Sequence, residues 1–245
     1  MAFDWNIFWS ALFSQAFLQG ALITIGLAAA AQAAAAVGGL GIALLRRSSS
    51  SPLRFAGAAY VWLFRAIPTL LQLLFVWNAL PQLIPRLREP WFTPFLAAFV
   101  ALAINESAYM AEIIRSGIAS VDRGQTLAGK TLGLTDAQIF RLIVLPQTIR
   151  VVIPPTGNEF ITLLKLTSLA SVISLRELLT VTSQTVAVNF RFAELYSAAT
   201  IWYLVIVSVF MALQHQLERR YQWTSREATR HAPVAAPAAV GATNR

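Results

Sequence analysis

Five stretches of this chain, near residues 18–45, 56–80, 91–115, 148–172 and 195–217, are apolar over the length a helix needs to cross a hydrocarbon core, about 20 residues. No feature narrows the possible folds more. Lipid offers no hydrogen bonds, so a spanning segment must satisfy its own backbone, and stretches this long do so as helices. The expected fold is an all-α membrane bundle of five spans. Composition agrees: 57% of residues are hydrophobic and 12% charged, against about a quarter charged in soluble domains. The fourth stretch contains Pro154-Pro155, which removes two backbone donors and is expected to kink or break the helix, and Pro68 is expected to distort the second. No Lys or Arg precedes Arg46, so the basic start of a secretory signal peptide is missing and the first stretch is expected to remain in the mature protein.

The formal charge of +8 could point to nucleic acid, but the basic residues form no single patch with interleaved aromatics. They sit between and after the apolar stretches, as topology requires of loops on one side of a membrane. Arg46, Arg47, Arg54, Arg115, Arg123, Lys130, Arg141, Arg150, Arg219, Arg220, Arg226, Arg230 and Arg245 fall on one side, and Arg86, Arg88, Arg176 and Arg191 on the other. That bias puts the N-terminus outside and the 118–147 link in the cytosol. The chain has no cysteine, which excludes disulfides and Cys-based metal sites. The tail 224–245 is rich in Ala and Pro and is expected to be disordered, leaving 1–223 as the membrane domain.

Within the spans, polar residues recur at helical spacing. Arg65, Thr69 and Gln72 share a face of the second. Asn105, Tyr109, Glu112 and Ser116 form a stripe on the third, with Glu106 beside it. Asn158, Thr162 and Lys165 align on the fourth, flanked by Glu159. Such groups are expensive in lipid and face a bundle interior or a watery path, so the stripes are expected to converge. Arg65 could instead snorkel to the interface. Glu112 and Arg115, at i and i+3, suit an interfacial pair, and Glu106, Glu159 and Lys165 suit pairing among themselves as well as contact with a solute. The small-residue run from Ala28 to Gly41, with Gly38 and Gly41 on one face, reads as close helix packing.

The 118–147 link is too long for a connector in a compact protein. Val121-Asp122-Arg123-Gly124 reads as a turn, Gln125 to Leu132 as a short helix, and Gly133 as a left-handed helix end. Thr135 or Asp136 can cap a second helix that Pro146 is expected to stop. A short helix of this kind either enters a partner's groove or lies on lipid. The spacing of Leu127-Ala128-Gly129, Gly133, Ile143, Leu145 and Pro146 resembles the EAA loop by which bacterial ABC importer permeases dock onto their ATPase. Leu127 replaces the Glu of that pattern and Gly129 its second Ala.

The resemblance extends over about residues 15 to 220. Phe64-Arg65-Ala66-Ile67-Pro68-Thr69-Leu70-Leu71-Gln72, Asn105-Glu106-Ser107-Ala108-Tyr109-Met110-Ala111-Glu112-Ile113-Ile114-Arg115, Pro154-Pro155-Thr156-Gly157-Asn158-Glu159-Phe160 and Lys165-Leu166-Thr167-Ser168-Leu169-Ala170 are similar to stretches of polar amino-acid ABC transporter permeases of the histidine/glutamine/arginine type. The resemblance implies a multi-pass protein of the bacterial inner membrane that pairs with itself or a sister permease. It also implies two copies of an ATPase subunit, which bind ATP and Mg, and a periplasmic solute-binding protein. This chain has no Gly-x-x-x-x-Gly-Lys-Ser/Thr phosphate loop, so it is expected to be no enzyme and to hold no cofactor. The residues expected along the solute path are Arg65, Gln72, Glu106, Asn158, Glu159, Lys165 and Ser168. Those expected at the ATPase contact are Gly124, Leu127, Ala128, Gly129, Lys130, Gly133, Leu145 and Pro146. Two other readings compete. An ion-coupled transporter would use Glu106, Glu159 and Lys165 as a relay, but no inverted repeat is visible. A membrane enzyme would need a cluster that His215 and His231, the only histidines, do not supply.

Overall fold

A computed structural model describes residues 3–230, with side chains through residue 219. Among the described residues every regular element is helical. They are α1 (Trp5–Leu12), α2 (Gln15–Arg46), α3 (Ser51–Ala66), α4 (Thr69–Leu83), α5 (Pro94–Ala119), α6 (Arg123–Thr131), α7 (Asp136–Ile173), α8 (Leu178–Asn189) and α9 (Phe192–Arg230). Helices α2, α5 and α7 and the Phe192–Arg219 part of α9 are each long and apolar enough to span a membrane. The pair α3 and α4, bent by 101° between them, is long and apolar enough together to make a fifth.

The bend follows from one proline. A residue before proline is pushed out of the α region, and Ile67, before Pro68, is extended (φ −86°, ψ 132°). Helix α3 therefore ends there, and α4 restarts in a new direction. Pro154-Pro155 does not act this way: α7 runs through both without a break. Of the expected kink or break in the fourth span, the break is thus corrected. Side chains also bond the backbone of this stretch: Gln214 of α9 donates to the Pro154 carbonyl at 3.0 Å, and Thr156 Oγ1 to the Val152 carbonyl at 2.8 Å.

The centre of the bundle is the seam between α2 and α5. Ala28, Ala31, Ala35, Gly39 and Ala43 of α2 are buried against α5 residues that include Ala97, Ala101, Ala108 and Ala111. Without a hydrophobic force between helices in lipid, small residues that let backbones meet supply the packing. At Gly39 an added Cβ would stand 2.5 Å from Met110 Cβ and 2.9 Å from the Ala111 amide nitrogen, and at Gly38 2.5 Å from Ser107 Oγ. Gly41, read from the sequence as part of this face, instead points into open space.

Two elements were not expected. Helix α1 precedes the first span, and α8 occupies what reads as the 174–194 link. Both fold onto one end of the bundle, where Phe8, Phe17, Leu178, Val181, Val186, Leu195 and Ala198 form a second core. Glu177, completely buried, caps α8: its carboxylate accepts from the amides of Leu179 (2.8 Å) and Thr180 (2.7 Å) and from the hydroxyls of Thr180 and Tyr203 (both 3.0 Å). Burial pushes its carboxyl above the usual carboxylate range, and these donors only partly oppose that. At the other end of the chain, α9 continues to Arg230. The tail expected to be disordered starts at 224, so its first residues belong to this helix, and 231–245 lie outside the described residues.

Candidate functional site

The break at Ile67–Pro68 leaves carbonyls at the end of α3 without intrahelical partners. Side chains from two other elements take them. Gln72, on α4, donates through Nε2 to the carbonyls of Phe64 (2.9 Å) and Ile67 (2.8 Å), and Asn105, on α5, donates through Nδ2 to Phe64 at 2.9 Å. Tyr60 Oη reaches the Ile104 carbonyl at 2.8 Å and joins α3 to α5 nearby. The amide nitrogen of Gln72 is therefore spent on the backbone. Its Oε1 is buried without a partner.

This hinge sets Arg65 over the ring of Tyr109, with its guanidinium carbon 5.1 Å from the ring centroid. Arg65 is also within coulombic range of Glu159 on α7, and Glu159 of Glu106 on α5. Glu159 thus stands between a cation of the second span and a carboxylate of the third, within coulombic range of each but with no ion pair to Arg65. Glu106 is 2% exposed, and its Oε1 has no hydrogen-bond partner. A buried polar atom left unpaired is costly and marks a place where a polar group from elsewhere would be stabilised.

The other expected path residues lie elsewhere. Asn158, adjacent to Glu159 but about 100° away around the helix, faces α9, where its Oδ1 accepts from Gln214 Nε2 at 3.0 Å. Lys165 and Ser168 line a separate cavity of about 420 Å³ with Tyr203, Leu204 and Val207. Of the seven residues, the structure sets Glu159 within coulombic range of Arg65 and of Glu106, gives Gln72 to the hinge, and turns Asn158, Lys165 and Ser168 toward α9. Sequence reasoning missed Gln214, which bridges Pro154, Asn158 and Glu218, and Gln32, whose amide meets Met110 Sδ at 3.3 Å. Both line a cavity of about 700 Å³ between α2, α5, α7 and α9. A polar residue inside an apolar run was the available signal. Near the basic loops, Glu112 pairs with Arg115 and also with Arg46 of α2. Among the described residues no three His, Cys, Asp or Glu side chains gather as a metal site would require.

The link between α5 and α7 is folded. Asp122 caps α6 by accepting from the Gly124 amide at 2.5 Å. Gly133 (φ +79°) ends it: the Leu134 amide bonds the Gly129 carbonyl (3.1 Å) and the Gly133 amide that of Lys130 (3.0 Å). Thr135 and Gln138 then form a capping box that opens α7. Pro146 does not stop this second helix, as its sequence suggested. A π-turn over Phe140–Val144, closed by the Leu145 amide on the Phe140 carbonyl, directly precedes it, and such a widened turn relieves the clash of a proline ring with the preceding turn. The second helix of the link and the fourth span are therefore one continuous element, Asp136–Ile173. On α6, Gly124, Leu127, Ala128 and Lys130 are exposed, with Leu127 at 63%, as are Leu145 and Pro146 on α7. Gly129 is buried: an added Cβ would stand 3.0 Å from Ile139 Cγ1. It faces α7 and cannot reach a partner, and the glycine is explained by that packing.

Comparison with known proteins places this arrangement. A family model described as a binding-protein-dependent transport system inner membrane component matches residues 35–223. YxeN of Bacillus subtilis (strain 168), named as a probable amino-acid permease protein, is 38% identical over 216 residues, covering 88% of this chain and 95% of that protein. The glutamine transport system permease protein GlnP of Escherichia coli (strain K12) is 34% identical over 220 residues, covering 90% and 98%. A solved structure of an amino acid ABC transporter with histidines superposes with a TM-score of 0.80 at 36% identity, covering 90% of this chain and all of that one.

Proposed function

Because this chain belongs to the family of binding-protein-dependent transport system inner membrane components, and is the permease subunit of an ABC importer, we propose that it carries a polar amino acid across the bacterial inner membrane along a path past Arg65, Glu106 and Glu159. One observation carries the reading: Glu159 of one span lies within coulombic range of Arg65 of a second and Glu106 of a third, beside a broken helix. A zwitterionic amino acid has an ammonium and a carboxylate, and this neighbourhood offers a counter-charge to each. The unpaired Glu106 Oε1 is the atom an incoming ammonium would satisfy. Hydrogen bonds to charged groups of this kind are worth about 1.5–3 kcal/mol each.

Two ATPase subunits would dock on α6 and the exposed start of α7, through Leu127, Ala128, Lys130, Leu145 and Pro146. ATP and Mg would bind in those subunits, outside this chain. Leu127, where relatives of the EAA type carry Glu, offers an apolar side chain to a groove, so the cognate ATPase would meet it with apolar residues. A second permease copy or a sister subunit would complete the path. A solute-binding protein would deliver cargo at the end away from the basic links.

The test is reconstitution with the cognate ATPase and binding protein in vesicles, and uptake of a panel of labelled amino acids. ATP-dependent uptake that falls about tenfold or more in Glu106→Gln or Glu159→Gln, equivalent to about 1.4 kcal/mol, with assembly intact, supports the path. Unchanged uptake in both variants removes these residues from it. Uptake that survives without the ATPase and follows a proton gradient would overturn the ATP-driven reading.

A further inference from the structure

Helix α1 divides into three strips. At about 100° per residue, Phe8, Ala11 and Leu12 share one side and are buried in the second core. Trp5, Trp9 and Phe13 occupy the next strip and are 62%, 49% and 78% exposed. Asn6 and Ser10 form the third and are also exposed. The core strip is tied down: the Leu12 carbonyl accepts from Trp202 Nε1 at 2.9 Å, and the Asp4 amide donates to Glu194 Oε1 at 3.0 Å. The aromatic strip packs only against rings of its own segment: Trp5 on Phe3 and Phe8, Trp9 on Phe8, and Trp9 stacked on Phe13 with centroids 6.0 Å apart.

From this geometry we infer that α1 lies in the membrane–water interface at the end of the bundle opposite the basic links, with Trp5, Trp9 and Phe13 set among lipid headgroups. Three observations select lipid as the occupant. Only Phe13 and Ser14 separate α1 from α2, a membrane span, so α1 is held at the level where that span enters the bilayer. The first turns of α2 expose Leu18 and Leu22, side chains suited to hydrocarbon just below. Tryptophan, with an apolar body and one polar N–H, is the side chain most at home at that depth, and the polar strip lies directly beyond the aromatic one, where water begins. Through Glu194 and Trp202 the anchor is also tied to the first three turns of α9, so the first and last spans share one reference to the bilayer surface.

The absence of cysteine makes the test direct. The full chain is labelled with a nitroxide at one introduced cysteine, Trp5→Cys, Trp9→Cys, Phe13→Cys, Asn6→Cys or Ser10→Cys, in phosphatidylethanolamine/phosphatidylglycerol vesicles. Collisions with oxygen, which concentrates in lipid, are compared with those of a nickel chelate confined to water. A ratio several-fold higher at 5, 9 and 13 than at 6 and 10 is expected. Equal ratios at all five would overturn the inference, as would protection of 5, 9 and 13 from both probes, which would mean a second copy or another protein covers the strip. A variant that keeps its aromatic packing gives a second measurement. Lipids brominated near the headgroup should quench the unsubstituted chain more than Trp5→Phe/Trp9→Phe, and equal quenching overturns the proposal.

Discussion

Glycines in one helix differ sharply in what they do. Gly39→Ala would drive a methyl to 2.5 Å from Met110 Cβ and 2.9 Å from backbone nitrogen. Overpacking of this kind costs about 1–3 kcal/mol, so the purified protein should melt at a lower temperature. Gly41→Ala meets nothing within 4 Å and replaces the poorer helix former, so its melting temperature should stay level or rise. Gln72→Leu strips the Ile67 carbonyl of its donor and leaves Phe64 only Asn105. An unsatisfied buried carbonyl costs about 1–3 kcal/mol, and the melting temperature should fall accordingly. Glu177 supplies a pH dependence. Its carboxyl titrates higher in the folded than in the unfolded chain, so the folded state binds more protons between those two values. Stability is then greatest below the ordinary carboxylate range and is lost as pH rises through the folded value. Thermal melts across that interval should show the slope, and Glu177→Gln should flatten it.

Among the elements, α6 depends on Gly133, whose φ of +79° costs a residue with a Cβ about 1–2 kcal/mol. Gly133→Ala should therefore loosen the α6 end locally: amide exchange over 129–134 should speed up, while exchange in α2 and the bundle melting temperature stay unchanged. Loss of the whole bundle's stability would show instead that the loop is integral to the core. The elements also show what sequence made legible. Long apolar runs mark the spans, because twenty residues without charge have few other destinations, and the caps of α6 and α7 are local chemistry written in Asp122, Gly133 and Thr135. The prolines were read less well. Pro68 and Pro154 carry the same local instruction, yet one stands at a 101° break and the other inside a continuous helix, so the proline alone does not decide the outcome. Helices α1 and α8 were missed because neither is long enough to span, and their apolar strips acquire meaning only against each other.

At the scale of the molecule, the distribution of Lys and Arg sets the orientation, and the cysteine-free chain allows a check in cells. A membrane-impermeant maleimide should label Arg86→Cys from outside and Arg123→Cys only after permeabilisation; the reverse pattern would invert the topology. The site was legible in part. Arg65, Glu106 and Glu159 are conspicuous as charges in lipid, whereas the turning of Asn158, Lys165 and Ser168 toward α9 depends on the rotation of α7, which no single span encodes. That rotation belongs to a helix with an unusual reach. From Asp136 to Ile173 it is a lever about 55 Å long, with Glu159 roughly 35 Å from the cytosolic end. A tilt of about 5° at the loop would carry Glu159 through roughly 3 Å, enough to make or break its approach to Arg65 and Glu106, which sit on other shafts. The unbroken helix through Pro154-Pro155 thus has a mechanical meaning: a displacement at one end is carried along the same element to Glu159, and grows with the length of the arm.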